Sequence, residues 1–108
     1  MDSIMPTQKG VCYICGREGR TESHHCIHGT ANRQIAEREG LKVWLCHECH
    51  RTGRHAVHAC KQTDLYLERE AQTVWESNYI KDYPYENHAE EAAREAWIRL
   101  FGKSYIYD

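Results

Sequence analysis

Cys12-Tyr13-Ile14-Cys15-Gly16 and Cys46-His47-Glu48-Cys49-His50 contain two thiol pairs of the same spacing, separated by residues 16–45, and their reading decides the fold. Two thiolates in a C-x-x-C turn can grip one tetrahedral ion, and a second such pair completes a four-sulfur shell. Cys12, Cys15, Cys46 and Cys49 are therefore the candidate ligands of a structural Zn2+. The gap exceeds the ~15 to 20 residues of a plain ribbon, so the chain between the pairs must form a substructure of its own. It carries the doublet His24-His25, and His50 directly follows the second pair.

The 108 residues suffice for one small domain, whose modest core a metal staple would help to hold. All six cysteines fall between Cys12 and Cys60, and seven of the eight histidines between His24 and His58, so both ligand types share one half. Six cysteines can also mean a secreted disulfide framework, but Met1 to Gly10 is short and polar and shows no signal-peptide pattern. No apolar run approaches the ~20 residues that span a bilayer. A cytoplasmic protein with no membrane partner is expected. The net charge of -2 is unevenly spread: residues 1–63 carry nine Lys or Arg against six Asp or Glu, and residues 64–108 five against ten. The basic half is also the metal half, where a nucleic-acid backbone would have to approach.

Along the chain, residues 1–10 read as a flexible arm, 11–60 as a zinc-stabilised core and 61–108 as a helical extension packing on it. Gly16 lets the first cysteine turn close. Thr21 to His28 reads as strand. Thr30 is a candidate N-cap for a helix over residues 31–39, with Gly40 as its C-terminal stop. Leu41 to Leu45 is rich in strand formers and runs into the second cysteine pair, which opens a short helical stretch ended by Gly53. Leu67, Ala71, Val74, Trp75 and Tyr79 recur at helical spacing and predict a helix over residues 63–79, broken by Tyr83-Pro84-Tyr85. Ala89, Ala92, Ala93, Ala96, Trp97, Leu100 and Phe101 mark a second apolar stripe that stops at Gly102.

Strand, helix, strand and short helix bring His24, His25 and His50 near one another if all four paired cysteines close on one ion. Adjacent strand residues point to opposite faces, so of His24 and His25 one can bind metal while the other faces a water. A neutral imidazole can do either, which suits metal-assisted hydrolysis.

Cys12-x-x-Cys15-Gly16, Glu22-Ser23-His24-His25 and Leu45-Cys46-x-x-Cys49-His50-Arg51 together resemble the HNH endonucleases of the ββα-metal superfamily, in particular the small bacteriophage and prophage type. The Ala71-Gln72 helix and the Phe101-Gly102-Lys103-Ser104-Tyr105 ending look like the tail that such phage proteins carry. The resemblance implies an α+β fold, a small zinc-stapled ββα-metal core with a C-terminal helical extension. It further implies a metal-dependent endonuclease, with DNA as partner, in the cytoplasm of a bacterial host and in phage DNA processing or recombination. His24 and His50 would hold the catalytic divalent metal (Mg2+, Mn2+, Ni2+ or Zn2+) with His58 or His55 as third ligand, His58 preferred, and His25 would be the general base. Where the family usually carries its Asn, this chain has Gly40 and Leu41; Asn32 on the connecting helix is the candidate to orient His25. Arg33, Arg51 and Arg54 are candidates for DNA phosphate contacts, because guanidinium matches phosphate oxygens. Two other readings remain: a catalytically inactive DNA-binding or assembly module, which needs the cysteines but not His25, and an adaptor acting through its acidic helical tail.

Overall fold

β1 (Glu22–His25) and β2 (Lys42–Leu45) pair antiparallel, Glu22 opposite Leu45 and His25 opposite Lys42, with α1 (Thr30–Glu39) inserted between them. A wide helical turn, Glu48–Thr52, follows the second cysteine pair, and the long helices α2 (Lys61–Asp82) and α3 (Ala89–Phe101) complete the order. The structure, a computed structural model, describes residues 2–84 and 87–106. Met1 of the expected arm and Tyr85 of the expected helix break lie outside them. Among the described residues the architecture is a small α+β unit with one two-stranded sheet and three α-helices. No helix among them is long and apolar enough to cross a membrane.

Both strands are shorter than their sequence patterns: β1 stops at His25, and the chain turns through Cys26 to Gly29 before α1. Gly29, not Thr30, is the cap of α1, because its φ of 97° makes a turn that side chains resist and its carbonyl accepts from Arg33 N at 2.7 Å. At the other end Gly40 sits at φ 75° and donates to the carbonyls of Ala36 and Glu37, the expected left-handed stop. Glycine is required there twice, since a Cβ would stand 2.6 Å from the carbonyl oxygen of Asp2.

That close approach exposes a correction to the reading of residues 1–10 as a flexible arm. Ile4 N donates to Gly40 O at 2.9 Å, Ser3 Oγ bonds the carbonyl of Lys42, and Thr7 Oγ1 accepts from Trp44 N at 3.0 Å. Met5 is buried in the core. The segment has few apolar residues, so its tethers are main-chain bonds that no hydropathy pattern announces.

One core cluster runs through both halves of the chain: Cys26, Ile27, Leu41, Val43 and Leu45 from the sheet region join Leu67 and Ala71 of α2 and Trp97 and Phe101 of α3. Polar ties cross the same seam. Tyr13 OH donates to Glu70 Oε1 at 2.9 Å, and Trp75 Nε1 donates to Glu39 Oε1 at 2.9 Å. α2 extends beyond the expected limits at both ends. Its Gln72, apolar-stripe neighbour of Ala71, is fully buried, holding Tyr105 N at 2.7 Å and Ser104 Oγ at 3.0 Å. Trp97 Nε1 donates to Lys103 O at 3.0 Å. The helix and the ending that the sequence singled out separately are thus tied to each other.

Candidate metal centres and groove

The two cysteine turns meet across the end of the sheet. Cys15 N donates to Cys12 Sγ at 3.5 Å and Cys49 N to Cys46 Sγ at 3.4 Å, so each turn aims main-chain N–H groups at its first sulfur. Tyr13 N donates to Trp44 O at 2.8 Å and docks the first turn on β2. All four sulfurs lie within 4.8 Å of one another, and Cys15 and Cys46 Sγ are 3.8 Å apart. Sulfurs ~2.3 Å from a tetrahedral zinc stand about 3.8 Å apart, so the cage has the right size and Cys12, Cys15, Cys46 and Cys49 could hold a structural zinc. Their electrostatics ask for one. Burial would raise the Cys12 thiol, but main-chain donors from Cys15, Cys46 and Ile14 outweigh it and bring it down to about 6. Burial, with the neighbouring sulfurs, pushes Cys46 and Cys49 upward. Without a cation the cage supports little negative charge; a divalent ion removes that limit.

β1 divides its side chains between two tasks. Glu22 and His24 share one face, Ser23 and His25 the other. His24 is 3 % exposed, and its Nε2 is buried with no hydrogen-bond partner. Burial first, then the fields of His28, His50, His58 and His25, hold this imidazole down at about 3. It is neutral at physiological pH and has a lone pair to give. Ring nitrogens of His24, His50 and His58 lie within 4.8 Å of one another. The Nε2 atoms of His50 and His58 are 3.0 Å apart. Adjacent nitrogens ~2.1 Å from one ion stand about 3.0 Å apart at right angles and about 3.4 Å apart in a tetrahedron. The three rings could therefore hold a divalent ion.

Glu22 supports this set from below. His50 Nδ1 donates to its Oε1 at 2.7 Å and His47 Nδ1 to its Oε2 at 2.9 Å. The bonds from His50 and His47 hold the Glu22 carboxyl below its ordinary range. A carboxylate can only accept, so His50 carries its proton on Nδ1 and presents Nε2 as a lone pair, the tautomer a metal needs.

His25 belongs to no such set. Its Nε2 donates to Glu37 Oε1 at 2.9 Å, and Lys42 Nζ donates to Glu37 Oε2 at 2.8 Å. Lys42, then His25, holds the Glu37 carboxyl down at about 2, so it remains an anionic acceptor and His25 carries its proton on Nε2. The partner of His25 is thus Glu37; Asn32, on the same helix, does not line the groove. A groove of about 860 Å³ runs past His24, His25, His28, His50 and His58, with Arg33 and Arg51 on its walls. Arg54 is exposed and lies outside that lining. His58, not His55, joins the cluster; His55 lies instead by Cys60, a half-buried thiol that Thr63 first and then His55 lower to about 6.

Sequence reasoning missed His28, Glu37 and Asp64. His28 and Asp64 share a hydrogen bond, and both lie within 4.8 Å of His24 by ligand atom. Asp64 lifts the His28 imidazole, against burial. Burial and the Asp64 carboxylate push Glu68, one turn along α2, up to about 7. The clue in the sequence was the His24-x-x-x-His28 spacing, which a strand reading discards and the turn after His25 makes productive. Compared with protein-family models, with curated proteins and with solved structures, the chain matches none.

Proposed function

We propose that this protein is a metal-dependent HNH endonuclease with a zinc-stapled ββα-metal core, hydrolysing DNA phosphodiester bonds to leave 5′-phosphate and 3′-hydroxyl ends. The observation that carries the reading is the division of labour at the histidine doublet. His24 has a buried, unpartnered nitrogen and is grouped with His50 and His58, while its neighbour His25 lines the same groove with its Nε2 on the Glu37 carboxylate. Two arginines on the groove wall add the charge that a phosphate backbone requires.

His24, His50 and His58 would hold the ion, Glu22 fixing the tautomer of His50. When bound, a divalent ion supplies positive charge at the scissile phosphate and at the leaving 3′ oxygen. His25 takes the proton of the attacking water on Nδ1, and Glu37 steadies the imidazolium that results. Arg33 and Arg51 hold neighbouring phosphates in line with that water.

The test is cleavage of supercoiled plasmid and of single-stranded circles by the purified protein with magnesium, manganese or nickel, beside His25→Ala with its zinc retained. A general base contributes roughly 10²- to 10⁴-fold, so the variant is expected to lose at least that much rate while the parent cuts only with added metal. Equal cleavage by both proteins, or none by either, would remove His25 as base and leave a zinc-held DNA-binding module as the reading.

A further inference from the structure

We propose that the groove holds a second station for its divalent cation, formed by His28 and Asp64 with the shared imidazole of His24, and that this station takes harder cations than the all-histidine one. The proposal rests on the groove being a cation site, and not on its being catalytic. His24, His28 and Asp64 present ligand atoms within 4.8 Å of one another, as His24, His50 and His58 do. The His24 and His28 rings meet edge to face with centroids 5.3 Å apart. The independent observation is His24 itself, common to both sets, more than nine-tenths buried and with an Nε2 that has no hydrogen-bond partner.

A neutral imidazole has one nitrogen lone pair, so His24 serves one ion at a time. An ion beside His50 and His58 sees only imidazoles, which suit nickel, copper and zinc. An ion beside His28 and Asp64 gains a carboxylate oxygen, the donor that manganese and magnesium prefer. On that side His28 Nε2 and Asp64 share a proton; a cation displaces it and bonds both, as metals do with protonated ligands. Asp64 is the one carboxylate in either set. It comes from the first turn of α2, so the station makes the helical extension part of the metal chemistry of the core.

The experiment measures binding, with the cysteine zinc in place, of manganese by loss of the free-ion paramagnetic resonance signal and of nickel by competition with a chromogenic chelator. Asp64→Asn and His28→Gln are each expected to weaken manganese about tenfold or more and to leave nickel within about twofold, while His50→Ala does the reverse. In the parent, nickel should displace manganese one for one. Unchanged manganese affinity in His28→Gln, equal loss of both ions in that variant, or simultaneous binding of both ions by the parent would overturn the proposal. His28→Gln is read by itself if Asp64→Asn unfolds, since the His28 side chain is 41 % exposed. A protein that sorts the two ions but cuts no DNA would end the nuclease reading and leave this one standing.

Discussion

Glu37 shows how one residue decides what a histidine can do. Its Oε1 accepts from His25 at 2.9 Å and its Oε2 from Lys42 at 2.8 Å. The lysine keeps the carboxylate ionised, and the carboxylate keeps the His25 proton on Nε2. Glu37→Gln is nearly isosteric, yet its amide can offer either a donor or an acceptor to His25 and no longer supports an imidazolium. Cleavage kcat is expected to fall by roughly 10²-fold, within the range a positioned base supplies, with KM almost unchanged because Glu37 touches no phosphate in this scheme. Steady-state kinetics on a short duplex measures both; a loss confined to KM would make Glu37 a binding residue instead. None of this could be read from the chain, because Glu37 reaches His25 across the turn between β1 and α1, and the sequence offered Asn32 on the same helix as an equally placed polar group.

At the scale of elements, α2 holds the C-terminal ending through the buried amide of Gln72 and through Arg69 Nε, which donates to Tyr105 O at 2.9 Å. Gln72 is 0 % exposed, accepts from Tyr105 N and donates to Ser104 Oγ and Glu76 Oε2. Gln72→Ala would leave the buried Tyr105 N–H without its acceptor and open a small void, at a cost of about 2–4 kcal/mol. Urea unfolding should show that drop in midpoint with an unchanged slope; a loss below about 1 kcal/mol would mean that water replaces the amide. Which elements were legible follows from the same physics. α2 and α3 announced themselves because Leu67, Ala71, Ala93, Trp97 and Phe101 repeat at helical spacing and are buried for that reason. Gly40 and Gly102 stop their helices at φ 75° and 85°, as the sequence indicated. Gln72 was invisible because it lies on a buried stripe and its partners come from residues 104 and 105. The tethers of residues 3–7 were invisible because they are made by main chain.

For the whole molecule, the question is how much of the fold the cysteine cage carries. The sheet has only two short strands, which are marginal alone, and the segments bearing the cage reach the core through few apolar residues, Cys12, Cys46 and Val57 among them. A structural zinc is worth ~10–16 kcal/mol in small zinc folds, comparable to the whole ~5–15 kcal/mol net stability of a domain. Stripping it should therefore unfold the cage and the sheet, and with them the histidine groove, while α2 and α3 retain part of their helical signal through the Trp75, Trp97 and Phe101 packing, whose rings lie 5.7 and 4.2 Å apart. Chelator titration followed by circular dichroism and tryptophan fluorescence measures this. His58→Ala separates the two metal roles: it removes an exposed member of the groove set and none of the cage, so it should melt like the parent before chelation and collapse like the parent after it. A chelated protein that still unfolds in one cooperative step at the parental temperature would show that the apolar core alone specifies the fold, with the cysteines a local clasp.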